Sequence, residues 1–521
     1  MMSIKYTDNM PSLNLSIPIE TAVSDSVELN ETLLRQWIRR LPKHDVEQYL
    51  NEYITALKRF NGNKLGLEQR LSLLDIYREP INKLVFTYSQ NKLHKYSSSI
   101  DQYNILISAI AEVLLELAVG YKIIVIESLK SNANLKLNNL ALMAVNRAGE
   151  QLSYIALHAY KFYQTIPAKV LNELHQLYML SLSCDVEDKL PKLATVPAAS
   201  TSYKSRYCQL LLVCICNPYG LRSNEVIKAY GLMKQFAAVA ELSLLPQDSK
   251  AMAGHFYINC LSDDIPIPSV LPMIDDQTQP PALVLDTKPA LVAVDILFQR
   301  AVQVDNHPQG TDIELLKSLI PYLNTSYERK ELRRSGSAKQ HIYVATSIDT
   351  IYNCIGAVNA SSDDINTSLN APWTLLNKTS SGYLVSRQES FVQHDALVGD
   401  LVGTFDVTEQ NKVNSSKVGF IRWIRTNAHD ETKMGISLIE GDPVPVKYGL
   451  DENTEMEPAL FLPEVARIHQ AASLITQKKV VSMNSLLRIK PNKKRFEFNL
   501  KVDAILSSGN NFDHLSLTDS D

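Results

Sequence analysis

The sequence predicts a multidomain α+β protein, in which an N-terminal all-α domain of helical hairpins precedes a C-terminal antiparallel β-barrel. At 521 residues, the chain is longer than one ordinary hydrophobic core allows. Apolar side chains recur at helical spacing up to about residue 242, whereas short strand-like runs separated by turns dominate beyond residue 340. The predicted parts are a flexible leader at 1–28, an α-helical domain at 29–325 with a proline-rich excursion at 254–288, a β-barrel at 326–445, and additional strands at 446–521 that either extend the barrel or form a second small one.

The composition is that of a folded protein without a strong charge bias. Hydrophobic residues make up 45% of the chain, charged residues make up 21%, and the formal net charge is −4. A general DNA or RNA binder would be strongly basic, so neither nucleic acid is an expected partner. The most apolar stretch, Ile105–Leu129, contains four charged residues, which predicts a buried amphipathic helix and no membrane span.

The cysteines and the N-terminus favour a cytoplasmic protein. The closest cysteine pair, Cys214 and Cys216, lacks the two-residue gap of zinc and redox motifs, so the six cysteines are expected to be reduced thiols. Residues 1–6 lack the apolar core of a signal peptide. The histidines show no metal spacing, and the sequence contains no nucleophile-elbow, zinc-protease or phosphate-loop motif. We therefore expect no metal, no cofactor and no enzymatic activity.

The helical domain is predicted from capping residues and periodic apolar positions. Asn30 or Thr32 is expected to cap a first helix, and Asp45 a second. Pro80 is expected to kink or break the third helix, at 65–86, because proline lacks an N–H and clashes with the preceding turn. Further helices are predicted at Tyr103–Leu129, Asn138–Tyr163, Ala168–Leu182, Tyr207–Cys216, Asn224–Leu242, Pro289–Val304 and Asp312–Leu323, with a short strand at His255–Ile258.

The C-terminal part is predicted to consist of strands. Ser347 is expected to cap a short helix after the first of them. The basic run at 490–495 has the composition of a nucleic-acid contact, but Pro491 and Asn492 favour a hairpin loop. A closed antiparallel barrel is the expected architecture because closure removes exposed edges. The strands are predicted at His341–Ala345, Trp373–Leu376, Gly382–Ser386, Leu401–Val407, Val418–Ile424, Lys433–Ile439, Ala459–Leu462, Ala472–Ile475, Leu486–Ile489, Arg495–Leu506 and Asp513–Leu517.

Two motifs at the start of the barrel point to a ligand. Arg329 and Arg333 lie four residues apart in a basic cluster, and Lys330 with Arg334 gives a shifted version of the same spacing. The turn at 377–382 reads Asn-x-Thr-x-x-Gly directly after a strand. Guanidinium groups form paired hydrogen bonds with phosphate oxygens and purine edges, and the turn offers an amide, a hydroxyl and an accessible glycine backbone. These residue types predict a site for a guanine-bearing phosphodiester.

With these motifs, residues 328–445 resemble the PilZ-domain family of bacterial cyclic di-GMP receptors. The family pattern is an Arg-x-x-x-Arg segment before the first barrel strand and an Asp/Asn-x-Ser-x-x-Gly turn after a later strand. Here threonine replaces the serine and keeps the hydroxyl. Segments at 398–402, 419–423 and 434–438 look like the family's middle and late strands. The preceding helical region resembles N-terminal extensions of proteobacterial relatives.

The resemblance implies an effector that couples the level of cyclic di-GMP to a protein partner, in motility, pilus or biofilm control. The arginine segment would wrap the phosphates and guanine edges, the turn would hold a guanine from the barrel side, and the glycine would keep the surface open. The helical domain would bind the protein partner, whose identity the sequence does not give. The candidate ligand-binding residues are Arg329, Lys330, Arg333, Arg334, Asn377, Thr379, Ser381 and Gly382.

Each motif also has a plainer interpretation. Two arginines four residues apart are typical of a solvated surface, and Asn-x-Thr-x-x-Gly is a common turn composition. The alternative is therefore a ligand-free scaffold or chaperone-like adaptor with a degenerate barrel. An enzyme whose site is assembled from residues distant in sequence is a third alternative.

Overall fold

The protein, described by a computed structural model, consists of two compact units. The helical unit comprises Met1–Pro218 and Ser223–Glu328, and the barrel unit comprises Tyr219–Arg222 and Arg329–Asp521. The residues whose structure is described are 13–18, 29–87, 99–131, 136–245, 252–268, 282–304, 311–324, 334–335, 340–356, 372–388, 396–407, 413–450, 455–464, 471–478, 481–492 and 497–519.

Polar capping side chains mark the starts of the first helices in the helical unit. The Asn30 side chain accepts hydrogen bonds from the N–H groups of Thr32 and Leu33, and Asp45 accepts one from Gln48. These bonds satisfy N–H groups that lack partners in the first helical turn. The helices of this unit are α1 Glu31–Arg40, α2 Val46–Gly62, α3 Leu67–Thr87, α4 Ile100–Lys130, α5 Asn139–Lys161, α6 Val170–Ser183, α7 Tyr203–Ile215, α8 Ser223–Phe236, α9 Lys288–Val304 and α10 Thr311–Leu323.

Helix α3 continues through Pro80 to Thr87, so the proline does not break the helix, and the alternative of a kink stays a prediction. Proline removes one backbone hydrogen bond from a helix. Ile81 and Val85, in the turns that follow, are almost completely buried. Tertiary packing of an apolar face stabilises a helix more than local propensity does, and here that packing offsets the lost bond.

Helix α4 is the central helix of this unit and packs against α2, α3 and α5. Lys122 on α4 is buried, and its Nζ lies 2.7 Å from Oε2 of Glu173 on α6. The pairing explains how an amphipathic helix holds a charge in the core. Among the residues that the structure describes, no helix combines the length and the apolar character that a bilayer crossing requires.

Four antiparallel strands accompany the helices of this unit, so its predicted all-α character is wrong. The strands β1 Glu241–Leu244, β2 His255–Asn259, β3 Ile267–Pro268 and β4 Ala282–Asp286 form a sheet in the order β1-β4-β2-β3. Phe256 and Ile258 of β2 oppose Leu285 and Leu283 of β4, and all four are buried. The sheet therefore forms because it buries one apolar face. The rest of the proline-rich stretch, 269–281, lies outside the described residues.

Leu13–Pro18, here called the strap, packs on the helical unit, although the sequence predicts a flexible leader there. Leu13 and Leu15 are 4% and 5% exposed. Two backbone N–H groups of the strap donate hydrogen bonds to side chains of α6. This part of the leader thus has a defined position. The remainder of 1–28 lies outside the described residues.

The barrel unit begins with a ring of six antiparallel strands, which confirms the predicted C-terminal barrel. The sheet order is β5-β7-β6-β9-β10-β11-β8, and a further pairing of β7 with β8 closes the ring. Strand β5 lies outside the ring and pairs with the end of β7. The elements are β5 Arg334–Ser335, β6 His341–Ala345, α11 Ile348–Gly356, β7 Trp373–Lys378, β8 Gly382–Gln388, β9 Leu401–Val407, β10 Val413–Thr426 and β11 Glu431–Leu438.

One lateral row of side chains identifies the barrel interior. Leu375, Val385, Met434 and Ile424 are neighbours on β7, β8, β11 and β10, and each is at most 1% exposed. Laterally paired residues point to the same face of a sheet, so this row lines the interior. Residues one position away along each strand point outward.

Residues 444–519 form a second closed barrel, with the strand order β12-β13-β14-β17-β16-β15. Strand β12 is absent from the sequence-based prediction, although Val446 and Tyr448 alternate with more exposed residues along it. Strands β15 and β16 form an antiparallel hairpin on either side of the basic run at 490–495. The strands are β12 Val444–Gly449, β13 Glu457–Leu462, β14 Ser473–Gln477, β15 Leu486–Pro491, β16 Phe498–Ser508 and β17 Phe512–Asp519.

The two barrels share one hydrophobic cluster with the short helix α11. Ile351 of α11, Phe405 of the first barrel, and Leu460, Ile475 and Phe512 of the second are buried in it. Because this cluster is continuous, the two barrels pack on each other within the barrel unit.

Candidate functional site

The Asn-x-Thr-x-x-Gly motif forms the turn that joins β7 to β8. The Thr379 N–H donates to the Gly382 carbonyl oxygen at 2.8 Å, and Thr379 Oγ1 donates to the same oxygen at 3.3 Å. Ser381 Oγ lies 3.3 Å from Thr379 Oγ1. A hydroxyl that donates its proton within the turn still has lone pairs, so Thr379 can accept a hydrogen bond from a ligand.

A β-bulge at Leu376 determines which way Asn377 points. Leu375 pairs with Val385, whereas Asn377 pairs with Leu384, so the register shifts by one residue between them. In regular alternation, Asn377 would point into the barrel with Leu375. The bulge instead places Asn377 on the outward face, where it is half-buried.

The end of the basic cluster lies beside this turn. Strand β5 pairs Arg334 with Lys378 and Ser335 with Asn377 in antiparallel register. Opposed Cα atoms in such a ladder are about 5 Å apart. The backbone therefore brings together two motifs that are more than forty residues apart in the sequence.

The remaining residues of the predicted arginine segment, Arg329, Lys330 and Arg333, lie outside the described residues. For Arg334, the backbone is described and the side chain is not. The structure thus gives the point at which the segment meets the barrel. The role of each basic side chain remains a prediction.

Gly382 has a packing role in addition to the one that sequence reasoning assigned to it. It pairs with Ser437 on β11, and an added Cβ would lie 2.6 Å from the Ile436 carbonyl oxygen. Such a distance requires the strands to move apart. The glycine at this position is therefore explained by the close approach of β8 to β11, whatever the ligand.

We expect Gly382→Ala to destabilise the barrel unit by about 1–3 kcal/mol, the usual result of overpacking. Gly231→Ala is the steric control, because nothing lies within 4 Å of the Cβ that it adds. Urea unfolding of both variants measures the difference in the free energy of unfolding. Equal stabilities of the two variants would contradict the packing role.

Asn377 belongs to a row of laterally paired residues on the outward face of the barrel. This row continues to a tryptophan that the sequence did not place in the site. It runs through Leu384 and Gly435 to Trp423 on β10. A Cβ on Gly435 would lie 2.2 Å from Trp423 Nε1, so the indole lies directly over the glycine. Neighbouring strands are about 4.8 Å apart. The indole lies over β11, which is two strands from β7 and therefore about 10 Å from it. The sequence does not show this row because it depends on the register of four strands.

Positive charge lies next to the indole on the same outward face. Arg425 and Lys433 are paired across β10 and β11. The Lys433 Nζ lies 3.4 Å from Glu431 Oε2, and the Arg425 guanidinium lies 5.4 Å from the ring centroid of Tyr219. The outward face thus combines an aromatic ring, an amide and cations, which are the groups that bind nucleotides.

Tyr383 follows the turn and pairs with Lys378 at the rim of the barrel. Burial raises the pKa of Tyr383; Lys417 opposes this shift and Asp406 adds to it. The phenol therefore stays neutral at physiological pH and contributes no negative charge beside the turn.

A pocket in the helical unit is poorly suited to an anionic ligand. It lies at the start of α2 and is lined by the carboxylates of Asp45, Glu47 and Glu52 and by one guanidinium, that of Arg59. Three carboxylates against one cation repel a dianion. Within the part of the chain that the structure describes, no three histidine, cysteine or acidic side chains are arranged to hold a metal ion.

The fold and the outward face define a class of protein: a helical unit joined to a double-barrel unit with a surface suited to an anionic nucleotide. Comparison with known proteins points to a particular relative. Residues 32–248, which include helices α2–α8 and all of α1 except its first residue, match the family described as cyclic-di-GMP receptor FimW, N-terminal domain. Across both units, the chain is similar to the cyclic-di-GMP receptor FimW of Pseudomonas aeruginosa, with 22% identity over an alignment of 562 positions that covers 92% of this chain and 89% of the relative. The likeness to a cyclic di-GMP receptor agrees with the sequence-based prediction, whereas the likeness to the PilZ family remains a prediction.

Proposed function

We propose that the protein is a cyclic di-GMP receptor whose binding surface is the outward face of the first barrel around Asn377. The observation that carries the proposal is the pairing of Arg334 and Ser335 with Lys378 and Asn377. This pairing leads the basic segment to the edge of the Asn-x-Thr-x-x-Gly turn. The similarity to a cyclic di-GMP receptor over most of the chain supports the same ligand.

The chemistry of the residues matches the parts of this ligand. Cyclic di-GMP carries two phosphate charges, for which the basic segment and Lys378 supply counter-charge. The amide of Asn377 can both donate to and accept from the edge of a guanine, and the Thr379 hydroxyl can accept from a guanine N–H. In this arrangement the indole of Trp423 provides a surface for stacking a base.

The output of such a receptor is binding to another protein, not catalysis. In this proposal, binding of the ligand to the basic segment changes how the helical unit is presented to its partner. Control of motility, pili or biofilm formation is the process that the family resemblance suggests. The alternative remains an adaptor whose barrel binds no nucleotide.

Isothermal titration of the full chain with cyclic di-GMP tests the proposal. At tens of micromolar protein, a binder with a Kd of about 1 μM gives a saturable heat. Cyclic di-AMP is the matched control, because it carries the same charge without guanine edges. Absence of heat with cyclic di-GMP would contradict the receptor and favour the adaptor. Equal binding of both dinucleotides would contradict guanine recognition.

Trp423→Ala is expected to weaken cyclic di-GMP binding by about 5- to 100-fold, because stacking of one base on an aromatic side chain contributes about 1–3 kcal/mol. Ligand binding should also quench the fluorescence of Trp423. The quench should disappear in Trp423→Phe and remain in Trp37→Phe, since Trp37 belongs to the helical unit. A quench of undiminished size in Trp423→Phe would exclude this ring from the site.

A further inference from the structure

The strap, Leu13–Pro18, lies on the helical unit in the manner of a bound extended peptide. Leu13 and Leu15 are buried, whereas Asn14 between them is exposed. This alternation is the period-two pattern of a strand that packs one face on a protein surface. The two leucines are thus the side-chain contacts by which the segment is held.

Helix α6 binds the backbone of the strap. The Asn14 N–H donates to Gln176 Oε1 at 2.5 Å, and the Ser16 N–H donates to Glu173 Oε1 at 2.7 Å. The two acceptors are three residues apart on one helix face, and they bind N–H groups two residues apart in the strap. Main-chain hydrogen bonds combined with pockets for alternate side chains are the usual way in which proteins bind extended peptides.

The acceptors require a donor in this position. Glu173 is 2% exposed, and its second oxygen, Oε2, already accepts from Lys122 Nζ at 2.7 Å. Removal of the strap would take the Ser16 N–H from Glu173 Oε1, and water or another donor would have to replace it. Any extended segment with two N–H groups at this spacing and two leucine-like side chains satisfies the same demand.

The strap is held by few interactions. Two leucines, two backbone hydrogen bonds and a long hydrogen bond from Lys169 Nζ to Ser16 Oγ (3.4 Å) must offset the conformational entropy lost when the six residues are ordered. These opposing contributions are similar in size, so release and rebinding of the strap are expected to be readily reversible. A competing peptide segment therefore needs little binding free energy to displace the strap.

We propose that α6 carries a peptide-binding site and that the strap of the same chain occupies it. Glu173 and Gln176 form the site, together with Lys122. A partner protein binds this site through an extended segment with leucine-like side chains at alternate positions, and the strap is displaced. This inference is independent of the nucleotide site.

The test uses the full chain and a peptide with blocked ends and the sequence of residues 11–20. In the variant Leu13→Asp with Leu15→Asp, the strap should leave its site. Fluorescence anisotropy should then show binding of the labelled peptide with at least tenfold higher affinity than binding to the wild type. On the wild type, saturation with peptide should increase hydrogen exchange of the strap amides.

Modified peptides separate this site from non-specific binding. N-methylation at Ser16 removes one donor and should weaken binding at least tenfold. The peptide with Asn14→Ala, which changes an exposed side chain, should bind like the parent. The proposal is overturned if the folded double variant, checked by circular dichroism, does not bind the peptide. It is also overturned if N-methylation has no effect, or if strap exchange does not change.

Discussion

Arg334→Ala is expected to lower the affinity for cyclic di-GMP by about 10- to 100-fold, because a charge-assisted hydrogen bond to a phosphate contributes about 1.5–3 kcal/mol. The backbone of Arg334 opposes that of Lys378, directly beside Asn377 and the turn. The prediction follows from the proposal that the Arg334 guanidinium contacts a phosphate of a nucleotide bound on the outward face. Isothermal titration of the variant measures the loss.

Lys501→Ala is the matched control for this prediction. Lys501 is exposed on β16 in the second barrel, and its removal changes the net charge by the same amount. An equal loss of affinity in the two variants would indicate a general charge effect and would contradict the assignment of Arg334 to the site.

Paired substitutions determine which register of the basic segment contacts the ligand. One double variant replaces Arg329 and Arg333 with alanine, and the other replaces Lys330 and Arg334. The two double variants represent the two alternative registers of the motif, and the prediction for Arg334 requires a loss of affinity in the second. The double variant with the larger increase in Kd identifies the register.

Glu150→Ala is expected to reduce the free energy of unfolding of the helical unit by about 3–5 kcal/mol, the usual result of breaking a buried ion pair. Glu150 Oε2 lies 2.8 Å from Arg78 Nη1 and 3.9 Å from Arg147 Nη1, and Glu150 Oε1 lies 3.3 Å from Arg206 Nη2. Asp75 is the second carboxylate of this cluster. Loss of Glu150 leaves three guanidinium groups, two of them buried and one largely buried, with one carboxylate, which is the reason for the large effect.

The control for this substitution is Glu112→Ala. Glu112 forms an ion pair with Lys58 in which both side chains are about half exposed. Such surface pairs contribute about 0–1 kcal/mol. In thermal and urea unfolding, the loss of stability in Glu150→Ala should therefore be several times the loss in Glu112→Ala. Similar losses would contradict the structural role of the buried cluster.

The same carboxylate predicts a pH dependence. Burial raises the pKa of Glu150, but the opposing effect of Arg206, Arg78 and Arg147 is larger and lowers its pKa below the usual 4.5. A carboxyl with a lowered folded-state pKa contributes stability above its unfolded pKa and loses that contribution as the pH falls through the folded pKa. The wild type should thus lose its stability advantage over Glu150→Ala below about pH 4.5, as measured by urea unfolding across this range.

Elements with strong local signals were predictable. Strand β9 has the same bounds, Leu401–Val407, in the prediction and in the structure. The caps at Asn30 and Asp45 are likewise confirmed by their hydrogen bonds. In the small sheet of the helical unit, β2 was predicted at His255–Ile258. The other three strands were missed, because segments of two to five residues carry little periodic signal.

The candidate site was predictable in part. Its two motifs are visible as residue types in the sequence, and the order of the motifs suggested the ligand. The bulge that turns Asn377 outward and the packing reason for Gly382 were not visible, because both arise from pairing with β8 and β11. Trp423 was missed for the same reason, since its position relative to Asn377 is defined across three strand pairings.

The sequence by itself determined the helical and barrel regions, the residue types of the candidate site and the class of ligand that they suit. These follow from local periodicity, capping and side-chain chemistry, which are properties of a few neighbouring residues. Only the tertiary structure decided that β5 pairs with the end of β7, that a second barrel closes, and that the strap packs on the helical unit. Each of these depends on hydrogen bonds and buried contacts between segments that are far apart in the chain, and no local pattern specifies such pairings.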